Sequence, residues 1–273
     1  MSESDRPVNA AQLGSPSYRL AALDQEFLLG DSMRGVRFLM EYAKAEDALR
    51  AWGVRSTIVV FGGARVREGQ AGKHGYWYDQ ARQFGRIASE RGGALRGAVG
   101  QPRDNVIATG GGPGVMEAAN RGAADVGAPS VGFNITLPHE QEPNAWSTPE
   151  LTFQFHYFAM RKMHFAMRAN ALVVFPGGFG TFDELFEILT LRQTGKERAI
   201  PIVLVDKAYW TSVVGFDALV EHGMVAPADL ELISFAEDAE GVWAELLARG
   251  LRPGGESMPD PHQPPLQSET VTG

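Results

Sequence analysis

Ala171-Leu172-Val173-Val174-Phe175 runs directly into Pro176-Gly177-Gly178-Phe179-Gly180-Thr181, after which the apolar spacing predicts a helix over 181–193. A short unbroken apolar run marks a strand covered on both faces, as parallel strands flanked by helices are. The same strand, glycine loop and helix recur upstream. Residues 105–109 lead into Gly110-Gly111-Gly112-Pro113-Gly114 and a predicted helix over 114–126. Further strands are predicted at 57–61, 130–134 and 200–205, with a weaker one at 232–235. Helices are predicted at 32–52, 76–91, 157–170, 209–222 and 238–249. In the first of these, Phe38, Tyr42, Ala45, Leu49 and Trp52 form one apolar stripe and Gly53 supplies a stop. Regular alternation of strand and helix predicts a Rossmann-like α/β fold, a doubly wound parallel sheet with helices on both faces. One domain is expected over 18–251. Residues 1–17 and 252–273, polar and aperiodic, are expected as disordered tails. Residues 91–104 read as a long loop.

Composition narrows the function classes. The hydrophobic fraction of 44% and charged fraction of 21% suit a chain that buries a sizeable core. The absence of cysteine excludes disulfides, thiolate metal sites and a cysteine nucleophile, and fits a reducing compartment. No apolar run approaches the roughly 20 residues that span a bilayer, and the N-terminus lacks the apolar stretch of a signal peptide. A cytoplasmic protein is expected, without membrane association. The net charge of −8 argues against nucleic-acid binding, which relies on Lys and Arg neutralising phosphates. One small phosphate is a different matter, because backbone amides can hold it.

Both glycine loops stand where an open α/β sheet binds phosphate: unpaired amides and the positive end of the helix attract the anion, and glycines let it approach the backbone. Three consecutive glycines at 110–112 exceed what a tight turn requires. Neither loop is a Walker A sequence, which ends in Gly-Lys-Ser/Thr, and G-x-G-x-x-G fails in both registers of the first loop. A mononucleotide is therefore favoured over NAD or FAD. Thr181 can cap the helix that follows and donate to a phosphate oxygen. Asp183 and Glu184 fall in the first turn expected for that helix, where a carboxylate commonly serves only the helix dipole.

The preceding helix carries Arg161, His164 and Arg168 on one face. Met160, Met163 and Met167, similarly spaced on a neighbouring face, read as core packing. Such a basic face is commonly solvated, but this helix feeds the strand that ends in Pro176-Gly177-Gly178, so a cation near its start can lie beside the loops. No second ligand stands at metal spacing from His164, and no metal site is expected.

Arg161-Lys162 followed by Pro176-Gly177-Gly178-Phe179-Gly180-Thr181-Phe182-Asp183-Glu184 resembles the PGGxGTxxE motif, with its upstream Arg-Lys pair, of the Lonely Guy (LOG) family. These are nucleoside 5′-monophosphate phosphoribohydrolases often mislabelled lysine decarboxylases. The 23-residue separation of Arg161 from Glu184 is the family's. The loop that begins at Gly110 and the stretch Asn134-Ile135-Thr136-Leu137-Pro138-His139-Glu140-Gln141-Glu142-Pro143-Asn144 also resemble bacterial members. One departure is Gly63, where many relatives carry serine. The resemblance implies hydrolysis of the N-glycosidic bond of AMP or a cytokinin riboside monophosphate to free base and ribose 5-phosphate, by a homodimer and without metal or organic cofactor. It implies Arg161 and Glu184 as catalytic residues, and Gly111, Gly112, Gly114, Glu140, Lys162, Gly177, Gly178, Gly180 and Thr181 as substrate-binding ones.

Those residue types suit the chemistry. A carboxylate stabilises an oxocarbenium-like sugar, and a guanidinium offsets negative charge on the departing base. Two rivals stand beside this reading. One is a non-catalytic nucleotide-binding or regulatory protein on the same fold. The other is a decarboxylase, which would need a pyridoxal phosphate lysine, and no lysine here has a suitable setting. The preferred base is not legible in the sequence.

Overall fold

The Val- and Ile-rich runs pair as β1 (Thr57–Phe61), β2 (Val106–Thr109), β3 (Ser130–Ile135), β4 (Thr152–Phe155), β5 (Ala169–Val174), β6 (Ile202–Val205) and β7 (Ile233–Ala236). All pairings are parallel, in the order β4-β3-β2-β1-β5-β6-β7. The structure is a computed structural model that describes residues 7–137, 142–196 and 199–254. The helices are α1 (Ala10–Leu13), α2 (Gln25–Leu29), α3 (Arg34–Ala51), α4 (Lys73–Gly92), α5 (Val115–Asp125), α6 (Phe158–Arg168), α7 (Phe179–Gln193), α8 (Lys207–Val213), α9 (Phe216–Glu221) and α10 (Ala239–Ala248). The chain divides after Lys44 into two compact units.

In the first unit, Asp24 caps α2 by accepting from the Phe27 amide at 3.2 Å. Arg37 donates to the carbonyls of Leu28 and Gly30 at 2.8 and 2.7 Å, which fixes the end of that helix. In the stretch expected as the first tail, Ala10–Leu13 forms one helical turn, and a 3₁₀ turn, Pro16–Tyr18, begins before its end. The second expected tail lies outside the described residues from 255 onward.

In the second unit the chain winds from β1 through β2 and β3 to β4, then returns to place β5 on the other side of β1. Right-handed crossovers put α4 and α5 on one face of the sheet and α6 to α9 on the other, while α10, after the last strand, packs back against α4. Residues of β1, β2 and β6 are buried throughout. The strand order reverses between β1 and β5, and a doubly wound sheet forms its binding crevice outside the carboxyl ends of such strands.

Six of the seven strands were expected. The edge strand β4 was not: Thr-Phe-Gln-Phe is only four residues, with Phe153 and Phe155 inward and Gln154 exposed. The helix expected over 209–222 is instead two, α8 and α9, parted at Val214-Gly215. The long loop expected over 91–104 folds on itself, since buried Arg103 donates to the carbonyls of Ala94 and Gly97 at 2.7 and 2.9 Å.

At the amino ends of β1 and β5 lies a buried ion pair. Arg168 donates to both carboxylate oxygens of Glu46 at 2.8 and 2.9 Å, and its Nε reaches the Val54 carbonyl at 3.2 Å. Arg168 closes α6, so its position at the helix carboxyl end also suits a cation.

Candidate active site

Three loops meet at the carboxyl ends of β1, β2 and β5. Gly63 donates to the Pro176 carbonyl at 2.9 Å and accepts from the Val115 amide at 3.2 Å, so the loop after β1 joins the other two. Gly114 has φ of 78°, and a side chain there would run into the Gly63 carbonyl. Only glycine allows both that backbone and that approach. The Gly110–Gly114 loop is held from below by a buried polar chain. Thr109 donates to Asn120 at 2.7 Å and accepts from the Gly111 amide at 2.9 Å. Asn144 donates from its backbone to the Gly111 carbonyl at 2.8 Å and from its side chain to the Gly112 carbonyl at 3.1 Å. Across the site, Tyr209 donates its hydroxyl to the Gly177 carbonyl at 2.6 Å.

Helix α7 starts at Phe179, earlier than expected, because Thr181 and Phe182 already donate to the Gly178 carbonyl. This corrects two expectations. Thr181 lies within the first turn and does not cap the helix, and its hydroxyl packs against Gly177. Asp183 and Glu184 fall in the second turn, beyond the reach of the helix end.

On the face of Arg161, His164 and Arg168, the last two are buried and Arg161 is partly buried. His164 stacks on Phe133 at 5.8 Å, and Arg168 binds Glu46. Of the expected methionine face, Met160 packs against the core but Met163 is exposed, and Phe165 packs inside instead. Arg161 lies over the Phe165 ring at 5.2 Å and donates from Nε to the Phe133 carbonyl at 2.8 Å. Its guanidinium rests against Gly110, where an added side-chain carbon would stand 2.6 Å from Nη2.

Glu184 is 5% exposed, with its carboxylate 3.7 Å from Arg161. Burial pushes its pKa up to about 7, against the opposing pull of Arg161 and Lys162. Burial likewise lowers the Arg161 pKa, and the Glu184 charge works the other way. Lys162 bridges Asp183 at 2.8 Å and Glu187 at 2.7 Å. Burial disfavours its ammonium, but these two hydrogen bonds outweigh that and its pKa is raised. Lys162 therefore braces α6 against α7. Glu140 lies outside the described residues. Between α6 and α7 runs an open groove of about 560 Å³, lined by Lys162, Phe179, Phe182 and Phe186 among others. Its lining residues Lys162 and Asp183 are the chain neighbours of Arg161 and Glu184.

Sequence reasoning assigned no role to Asn134, Asn144, Asn120 or Tyr209. The three asparagines stand in the stretches, 110–120 and 134–144, that resemble bacterial relatives, which was the available signal. Tyr209 had none.

Fold and site together define a doubly wound α/β protein whose glycine loops meet at the switch point of the sheet. The sequence matches the family model described as "Possible lysine decarboxylase" over residues 116–246. It is similar to the cytokinin riboside 5′-monophosphate phosphoribohydrolase LOG3 of Arabidopsis thaliana, 28% identical over 140 residues, which are 50% of this chain and 63% of that one. LOG7 of the same plant is 33% identical over 87 residues, 32% of this chain and 40% of that one. The chain is thus similar to these LOG proteins, and its alignments span 63% and 40% of the two. A solved structure titled as a Moco carrier protein from Chlamydomonas reinhardtii is 21% identical, covering 71% of this chain and 99% of that one with a TM-score of 0.46. Among the described residues no helix is long and apolar enough to cross a membrane.

Proposed function

We propose that the protein hydrolyses the N-glycosidic bond of a nucleoside 5′-monophosphate, AMP or a cytokinin riboside monophosphate, to free base and ribose 5-phosphate. The observation that carries this reading is the buried Arg161–Glu184 pair, 3.7 Å apart, set beside two glycine loops suited to a phosphate. The loops would fix the 5′-phosphate through Gly111, Gly112, Gly114, Gly177, Gly178, Gly180 and Thr181, and that binding energy would position the reacting bond. As a carboxylate, Glu184 would stabilise the oxocarbenium-like sugar or orient the attacking water. Arg161 would offset charge on the departing base by a preorganised positive charge.

A lysine decarboxylase is not supported. A Schiff base needs a neutral amine, whereas Lys162 is held as an ammonium between Asp183 and Glu187. The reading takes the active form as a homodimer, with a second copy covering Phe179, which is 96% exposed at the mouth of the α6–α7 groove.

Dependence on phosphate is the test. AMP should be cleaved with kcat/KM at least about 100-fold above that for adenosine, because phosphate binding is spent on positioning. Equal rates for the two would remove the role given to the loops.

A further inference from the structure

Asn134 lies near the carboxyl end of β3, on the side of the sheet where the glycine loops lie. It is 7% exposed, and its Nδ2 is buried with no hydrogen-bond partner among the described residues. A buried donor without an acceptor is costly, and folded proteins keep such groups rare unless something else uses them. The side chain lies against Gly111. An added carbon on that glycine would collide with Nδ2 and stand 2.7 Å from both Cγ and Oδ1. One residue back, at Gly110, the neighbouring group is the Arg161 guanidinium. Arg161 is also bound to the carbonyl of Phe133, the residue before Asn134. A carboxamide with an unused donor and a guanidinium thus stand over two successive glycines of one loop.

We infer that Asn134 reads the nucleobase, with Nδ2 donating to a ring nitrogen of the same leaving group that Arg161 faces. The inference rests on the phosphoribohydrolase reading above. A primary carboxamide offers a donor and an acceptor side by side, and a 6-aminopurine matches both through N7 and its exocyclic amine. A 6-oxopurine presents acceptors at both places and can use only the donor, which leaves Oδ1 facing a carbonyl. The site therefore favours AMP over IMP. The bond to the ring nitrogen also strengthens as negative charge gathers on the departing base, so it acts on the transition state as well as on binding.

Calorimetric titration of the wild type, Asn134→Ala and Asn134→Leu with AMP, IMP and ribose 5-phosphate tests this. The wild type should bind AMP at least about 10-fold more tightly than IMP, the discrimination of one bidentate contact. Both variants should lose about 10-fold or more in AMP affinity and lose the preference over IMP. Their affinity for ribose 5-phosphate, which has no base, should stay within about twofold, below what one lost hydrogen bond costs. Leu keeps the branched outline of Asn without its hydrogen bonds and leaves no cavity, so the test survives if the cavity left by Ala unsettles the loop. Unchanged AMP affinity, or equal losses for AMP and ribose 5-phosphate, would overturn the inference and leave Asn134 as packing for the loop. A wild type that binds none of the three ligands would overturn the phosphoribohydrolase reading itself, and this inference with it.

Discussion

Glu184→Gln is expected to lower turnover of a nucleoside monophosphate by about 100-fold or more, the usual effect of removing one group that acts in the transition state. Affinity for the monophosphate should survive, because the backbone of both glycine loops is untouched. Two further signatures follow from the raised pKa. If the carboxylate is the working form, kcat/KM of the wild type should rise with pH through an apparent pKa of about 7, and the Gln variant should lose that limb. Stability should move the opposite way. The folded-state pKa lies above the ordinary glutamate value of 4.5, so the folded state binds more protons between about 4.5 and 7. Stability therefore falls as pH rises through that window, and the loss persists above it. Glutamine carries no such penalty, so at pH 8 the variant should melt no lower than the wild type. Normal turnover with a slightly lower Tm would reduce Glu184 to a helix residue and end the proposed mechanism.

The largest stability effect is expected at the opposite end of the sheet. Glu46 is 4% exposed and holds both guanidinium nitrogens of Arg168. Glu46→Gln leaves that buried cation without its counter-charge, which costs about 3–5 kcal/mol. For a chain of this size that lowers Tm by about 6–20 °C. Replacing both partners, Glu46→Leu with Arg168→Met, should recover most of the loss, because the desolvation cost then disappears with the pair. Turnover at a permissive temperature should stay normal in every variant, since the pair adjoins the amino ends of β1 and β5 while the loops sit at the carboxyl ends. A Tm change within about 2 °C for Glu46→Gln, less than a single kcal/mol would cause, would contradict the buried-charge account.

Much of this was legible in the sequence because its physics is local. Strands buried on both faces must be apolar throughout, so Thr57–Phe61 and 171–175 announced themselves. The edge strand Thr152–Phe155 did not, because its identity depends on pairing with Gly132–Ile135 and not on its own four residues. The start of α7 was misplaced because two of its first-turn residues, Phe179 and Gly180, read locally as loop. At the site, Arg161 and Glu184 were read from a motif, and they lie side by side in the structure. Residues whose importance is a long-range contact carried no local mark. Tyr209 reaches Gly177 from 32 positions away. The unused amide of Asn134 becomes evident only once Gly111 is folded against it.

Catalysis, as against mere binding, is decided by the products. Purified protein should be incubated with AMP and the mixture separated by chromatography, with adenine and ribose 5-phosphate quantified. The two should appear in equal amounts, growing with time and enzyme, and both signals should fall by about 100-fold or more in the Glu184→Gln protein. AMP bound by the protein and recovered intact would contradict it, leaving a nucleotide-binding protein on the same fold.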